Sequence, residues 1–388
     1  MAAMAAFDPA DDAFIADPYP VFADLRKHAE VHWHEGLGLA VAVSHRACSE
    51  LLRQRSLGRI WTDRTPLERF AAFNLLHQNS LLESEPPRHT RLRAAISAAF
   101  NRGHTERLRP WVGDLAVRLV DSMGGSGDLL EHLAGPLPIE VIGELLGVPE
   151  EDRPRLQPWS NAIVKMYEYD LAPELADAAE RAAAEFVAYL RELAARRSVE
   201  PGADLVSDLL AVELNADELV GTAVLLLMAG HEATVNVIGN GVLALLSNRT
   251  QWERLVADPS LVPLAVEELI RFDAPLQLFE RTAISDTEIA GYPVRAGEKV
   301  AALLGAAARD PEVFDHPDTL DITRSPNPHL GFGAGIHYCV GAPLARVEIA
   351  AALTALITRM PNLHLAGEPV RRPEFVIRGL RTLPIDNP

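Results

Sequence analysis

Gly331-Phe332-Gly333-Ala334-Gly335-Ile336-His337-Tyr338-Cys339-Val340-Gly341 is the stretch on which the reading of this 388-residue chain turns. Its glycines let the backbone pass close to a flat ligand and turn amides inward. Cys339 stands just before a helical pattern running from about 343 to 360, and a helix N-terminus favours thiolate over thiol. A thiolate so placed is a soft ligand for iron. Two rival readings fail on spacing. A phosphate-cradling loop needs G-x-G-x-x-G after a strand, but Gly335 comes too early and the preceding PNPHL is coil. A zinc site needs more Cys or His partners than His337 and Cys339. The other cysteine, Cys48, falls at an inward helical position in SHRACSELL and reads as a small buried residue, so no disulfide framework can be built.

Outward from this loop, most of the chain reads as helix. Short helices over 18–29 and 45–52 flank VHWHEGLGLAVAV, where Gly36 and Gly38 mark a hairpin. Residues 56–83 read as an irregular but apolar loop that covers something. Helical patterns follow at about 87–100, 105–123, 138–146, 151–168, 173–197 and 203–212. The longest helix is expected from Asn215, capped reciprocally with Glu218, to about Ser247. It is apolar nearly all round and should run through the middle of the fold. Its apolar run, Leu219 to Gly230, meets His231 and Glu232 before the roughly 20 residues that span a bilayer. Helices at 250–257 and 260–272 lead to short strands near 276–283, 288–289, 292–294 and 299–304. The fold class is mainly α with a minor β part, in one domain over residues 1–388, since no linker or repeat marks a boundary.

A net charge of −18 argues against nucleic acid and anionic membranes as partners, which demand clustered Lys and Arg. The acidic N-terminal segment, whose first Arg is Arg26, does not resemble a signal peptide, so a cytoplasmic protein is expected.

FGAGIHYCVG resembles the haem-binding loop of the cytochrome P-450 family at every defining position. The resemblance covers nearly the whole chain, from DPYPVFADLR to RGLRTLP. It implies a haem-thiolate monooxygenase that holds haem b between the long central helix and the cysteine-bearing helix. Cys339 would be the iron ligand, with Phe332 near the sulfur, Gly333 and Gly341 shaping the loop, and His337 at a propionate. His89 and Arg93 in EPPRHTRLR and Arg281 in FERTA match further propionate contacts. Glu268 and Arg271 in EELIRF, with Arg324 in DITR, match a buried ion network; alone, such a helical pair would read as a surface feature.

Ala229-Gly230-His231-Glu232-Ala233-Thr234 looks like the family's oxygen-binding groove. Ala229 and Gly230 leave room, and Glu232 is the expected acid. Most members carry an alcohol after that acid, where this chain has Ala233; a substrate hydroxyl or ordered water is expected to replace it, with Thr234 as a second candidate. The zincin H-E-x-x-H reading fails at Val235.

For the substrate pocket the resemblance points to Trp61, Phe73, Leu76, Leu82, Val164, Tyr167, Leu225, Leu276, Leu278 and Leu380, with His77, Tyr167 and Gln277 as polar anchors. It implies a medium-to-large, largely hydrophobic substrate, a natural-product tailoring role, and electrons from a ferredoxin or flavodoxin with its reductase. A monomer is expected. A basic dock for the redox partner is expected at Arg102, Arg107, Arg109 and Arg346. Two alternatives stay open: an oxidative coupling or cyclisation enzyme, and a haem protein that binds ligand without turnover.

Overall fold

The computed structural model describes residues 7–99, 102–169 and 171–388, leaving the expected helix end at Phe100 and the Arg102 side chain outside the described residues. The chain divides into two compact units. One is drawn from Met1–Gly58, Val112–Pro136 and Ala233–Pro388, the other from Arg59–Trp111 and Leu137–Glu232.

The first unit carries all the strands among the described residues. Its main sheet has the order Val31–His34, Leu39–Ala42, Lys299–Leu303, Leu278–Ala283 and Leu57–Gly58. The expected hairpin closes where the Gly38 amide donates to the His34 carbonyl at 3.0 Å, with Gly38 at φ 64°, which a side chain would resist. Leu39–Ala42 pairs in parallel with Lys299–Leu303, which in turn pairs antiparallel with Leu278–Ala283, setting Arg281 opposite Val300. The apolar side of this sheet meets the helix His45–Arg53 through Cys48, Leu51 and Leu52, and the same cluster holds Leu330 and Ala334. The cysteine loop is thus rooted in the sheet core. Burying a leucine such as Leu51 completely contributes about 1.5–3 kcal/mol. Cys48 is buried there, its thiol lies 3.2 Å from the Ala42 carbonyl, and burial pushes its pKa up, as an inert core residue requires.

A second, smaller sheet joins Ser126–Asp128, Pro384–Asp386 and His364–Leu365. GGSG reads locally as punctuation; Ser126–Asp128 becomes strand because the chain terminus pairs with it.

The second unit is helical. Helix Ala71–Gln78 forms inside the stretch expected to be irregular, and this corrects that expectation. No side chain near its start caps it. The amides of Ala72 and Phe73 instead donate to the Glu180 carboxylate at 2.8 and 2.9 Å, from the long helix Pro173–Val199. A cap supplied from more than a hundred residues away leaves no local signal. The 151–168 pattern also divides, into a 3₁₀ turn Glu150–Arg155 containing Pro154, the helix Leu156–Val164 and a further turn Lys165–Tyr167.

The central helix spans Ala216–Ser247. Its start shows the reciprocal cap: the Glu218 amide donates to Asn215 Oδ1 at 2.9 Å, and the Asn215 amide to Glu218 Oε2 at 3.2 Å. The same carboxylate accepts from Arg91 at 2.5 Å and from Arg88 at 3.4 Å. Both arginines lie on helix Arg88–Ala99, which carries His89 and Arg93. The central helix is apolar and long enough to cross a membrane, but 72% of its most apolar stretch is buried in protein, so it reads as a core helix.

Candidate functional site

The cysteine loop lies wholly in the first unit. Leu330 and Gly333 close one turn by a 2.8 Å hydrogen bond, and the Cys339 amide donates to the Phe332 carbonyl at 2.9 Å. Gly333 and Gly335 sit at φ 68° and 71°. A Cβ on Gly335 would lie 2.5 Å from the Leu52 carbonyl oxygen, so only glycine lets the loop seat against that helix. Cys339 is partly accessible, a short 3₁₀ turn places His337 just before it, and the helix Ala342–Arg359 begins three residues on. A Cβ on Gly341 would stand 3.9 Å from the Cys339 sulfur.

Behind the loop, helix Val262–Phe272 holds two adjacent carboxylates in separate clusters. Glu268 takes Arg271 through two bonds of 2.8 Å, Arg324 at 3.0 Å, Asn327 at 3.2 Å and the Asp321 amide at 2.9 Å. Both Glu268 and Arg271 are fully buried, and Arg271 also reaches the carbonyls of Ala308 and Pro317. The structure brings together all three residues read as an ion network. Glu267 binds Arg346 through bonds of 2.6 and 2.9 Å and His329 at 3.0 Å. Burial opposes its ionisation, but the bonds from Arg346 and His329 win and hold its pKa at about 2. Sequence reasoning missed this second cluster, because nothing in the spacing links Glu267 to residues 62 and 79 positions away.

Arg346 therefore carries its own carboxylate. Arg109 likewise pairs with Glu106 at 2.9 Å, whereas Arg107 donates to the Ala203 carbonyl at 3.2 Å. The expected basic dock is weaker than a count of arginines suggests. Arg281 is buried on its strand, donates to the Glu280 carbonyl at 2.9 Å and lies 4.5 Å from the Phe279 ring. Gln277 differs from expectation. It lies just before the strand, is fully buried, donates to the Ala274 carbonyl at 2.6 Å and abuts Gly305, so it is no pocket anchor. Leu278 and Leu380 are also buried, while Leu276 stays partly accessible.

On the central helix, burial itself marks a face. Ala229 and Ala233 are exposed and Leu225 and Gly230 partly so, whereas Leu226, Leu227, Met228, His231, Glu232 and Thr234 are buried. Positions 225, 229 and 233 repeat every four residues, one stripe of a helix. Glu232 adjoins this stripe in sequence, is buried, and sets its carboxylate 3.7 Å from His231.

The second unit supplies His89, which is buried, and Arg93 one turn on, partly accessible. It also gathers Trp61, Phe73, His77 and Tyr167. The indole stacks on His77 at 4.5 Å between centroids, and Phe73 lies 4.0 Å from the same imidazole. His77 bonds the Phe73 carbonyl and the Tyr167 hydroxyl, each at 2.8 Å. Phe73, Leu76 and Val164 are packed inside, while Trp61, Leu82 and Tyr167 keep partial access.

A family model described as Cytochrome P450 matches residues 157–361. The chain is 41% identical to the cytochrome P450 monooxygenase PikC of Streptomyces venezuelae, over 96% of this chain and 91% of that protein. It is 42% identical to the 6-deoxyerythronolide B hydroxylase of Saccharopolyspora erythraea, over 78% and 76% of the two. The solved structure of P450BioI with an acyl carrier protein superposes with a TM-score of 0.94 at 34% identity, over 97% of this chain and 100% of that one. The fold is thus that of the haem-thiolate oxygenases. The chain belongs to the cytochrome P450 family and is a P450 monooxygenase.

Members of this family carry haem on a cysteine thiolate. The donors here fit such a group. Among the described residues no cluster of three or more His, Cys, Asp or Glu could hold a bare metal ion. A partly accessible thiol in a glycine loop would suit a macrocycle that supplies the remaining iron donors itself.

Proposed function

We propose that this chain binds haem b through Cys339 and hydroxylates or epoxidises a medium-to-large, largely hydrophobic small molecule in a natural-product tailoring step. The cysteine loop carries this reading: a partly accessible thiol, held by the Phe332 carbonyl at its own amide and seated on the sheet core by glycines. When bound, thiolate-ligated haem supplies dioxygen activation.

The chain's own residues then have distinct tasks. His89, Arg93, Arg281 and His337 neutralise the propionates. Ala229 and Ala233 keep one stripe of the central helix low, and Gly230 beside it adds no side chain, which leaves room for dioxygen and substrate. Glu232 holds and passes protons, and a substrate hydroxyl or an ordered water, with Thr234 as the second candidate, completes the path that Ala233 cannot. Trp61, Leu82, Tyr167, Leu225 and Leu276 offer accessible surface to the substrate. That PikC is named a monooxygenase and the Saccharopolyspora erythraea relative a hydroxylase supports this chemistry. Electrons come from a ferredoxin or flavodoxin with its reductase, and the protein works as a cytoplasmic monomer with residues 1–388 acting as one domain.

The test has two parts. The reduced protein under carbon monoxide should show a strongly red-shifted Soret band that Cys339→Ala abolishes; a globin-like band or no haem overturns the reading. Product mass then separates the activities, because insertion adds oxygen whereas oxidative coupling only removes hydrogen.

A further inference from the structure

Glu267, Arg346 and His329 form a clamp on the turn that carries the iron-ligating cysteine. His329 Nδ1 accepts the Gly331 amide at 3.1 Å, so the ring proton sits on Nε2 and donates to Glu267. The histidine thus ties the backbone just ahead of Phe332 to this carboxylate. Arg346 grips the same carboxylate with two nitrogens, a planar fork that fixes its orientation. The guanidinium so oriented lies 4.4 Å from the centre of the Phe332 ring, within cation–π range. The His329 and Tyr338 rings also flank it, at 5.9 and 6.3 Å between centroids. Gly331 is pressed onto the same helix, where a Cβ would lie 2.5 Å from Ile270 Cγ2. Phe332, held on its ring and just ahead of its backbone, presents its carbonyl to the Cys339 amide.

We infer that Glu267 is a positioning residue for the thiolate: through Arg346 and His329 it fixes Phe332 against Cys339 and thereby sets the donor strength and persistence of the iron–sulfur bond. This rests on Cys339 being the ligand. Glu267 touches neither sulfur nor substrate, and it is distinct from Glu268, whose partners on Arg271 and Arg324 serve the neighbouring coil. Partners one step removed from a ligand typically change metal-site behaviour by about 10–100-fold when removed.

The experiment uses the haem-loaded full chain and the variants Glu267→Ala, Glu267→Gln and Arg346→Lys. Three quantities are read: the ferric/ferrous midpoint potential, the rate at which the thiolate-type carbon monoxide band converts to the thiol type on mild warming, and the helix melting temperature. Glu267→Ala should speed band conversion roughly tenfold, equivalent to about 1.4 kcal/mol, and shift the potential. Glu267→Gln, which keeps an acceptor for Arg346, should fall between it and the parent. Arg346→Lys keeps the charge but loses the fork and the stack, and should follow Glu267→Ala even if the alanine variant folds poorly. An unchanged potential and conversion rate in Glu267→Ala and Arg346→Lys, whatever their melting temperatures, overturn the inference. A parent protein without a thiolate-type band would instead remove the assignment of Cys339.

Discussion

The Tyr167 hydroxyl donates its proton to Nε2 of His77, 2.8 Å away, because Nδ1 of that ring is already committed to the Phe73 carbonyl. Both nitrogens of His77 are satisfied, and Tyr167 is left to offer only an acceptor. A residue pair that reads from sequence as two polar anchors is one closed unit, and a substrate meeting it must bring a donor.

This pair makes stability depend on pH. Burial lowers the His77 pKa to about 4, below its usual value, although the bond to the Phe73 carbonyl opposes the shift. The unfolded chain takes up a proton first, so this contribution is present above the ordinary histidine pKa and is lost as pH falls towards about 4. Melting curves of the parent should steepen in that window and those of His77→Phe should flatten. Tyr167→Phe should cost about 1–3 kcal/mol by leaving a buried acceptor unmatched.

The Glu268 cluster should respond differently to removal of either partner. Glu268→Ala or Arg271→Ala strands a fully buried charge and should destabilise the fold by about 3–5 kcal/mol in denaturant titration. Arg271→Lys should recover only part, because an ammonium cannot serve both carboxylate oxygens and the carbonyls of Ala308 and Pro317 together.

Gly335→Ala should fail twice, in conformation and in space. Its φ of 71° costs an L-residue about 1–2 kcal/mol, and the new Cβ meets the Leu52 carbonyl. Reduced haem retention and a lower melting temperature should appear together. Gly38→Ala, with open space around it, should show only the conformational loss.

Glu348, on the cysteine helix, is buried with Oε2 unpartnered, and burial lifts its pKa well above the carboxylate range. An acid held protonated in the folded chain weakens the fold as pH rises above the unfolded carboxylate value of about 4.3. Glu348→Gln should remove that loss, so its melting temperature should gain on the parent from pH 5 upward and match it in acid.

Ala233 is exposed on its stripe, so a threonine fits there without a clash. If substrate or water delivers the proton, Ala233→Thr should leave the coupling of electrons to product flat or lower. A large gain in coupling would overturn that route.

The chain announces by itself whatever depends on neighbours in sequence. The Asn215–Glu218 cap, the length of the central helix, the hairpin at Gly38, the Glu268–Arg271 spacing and the glycine loop before Cys339 are all set within a few residues, where backbone conformation and helix period do the selecting. The family followed from the same local motifs. Only the folded chain could decide the rest, because the partners are remote and spacing says nothing about them. Glu180 caps a helix it never neighbours, the C-terminal strand makes a strand of Ser126–Asp128, Gln277 turns into the core, and Arg346 pairs with Glu267. Hydrogen-bonding capacity is legible in a residue's type; which group satisfies it is decided when burial removes water and leaves whatever the topology has brought near.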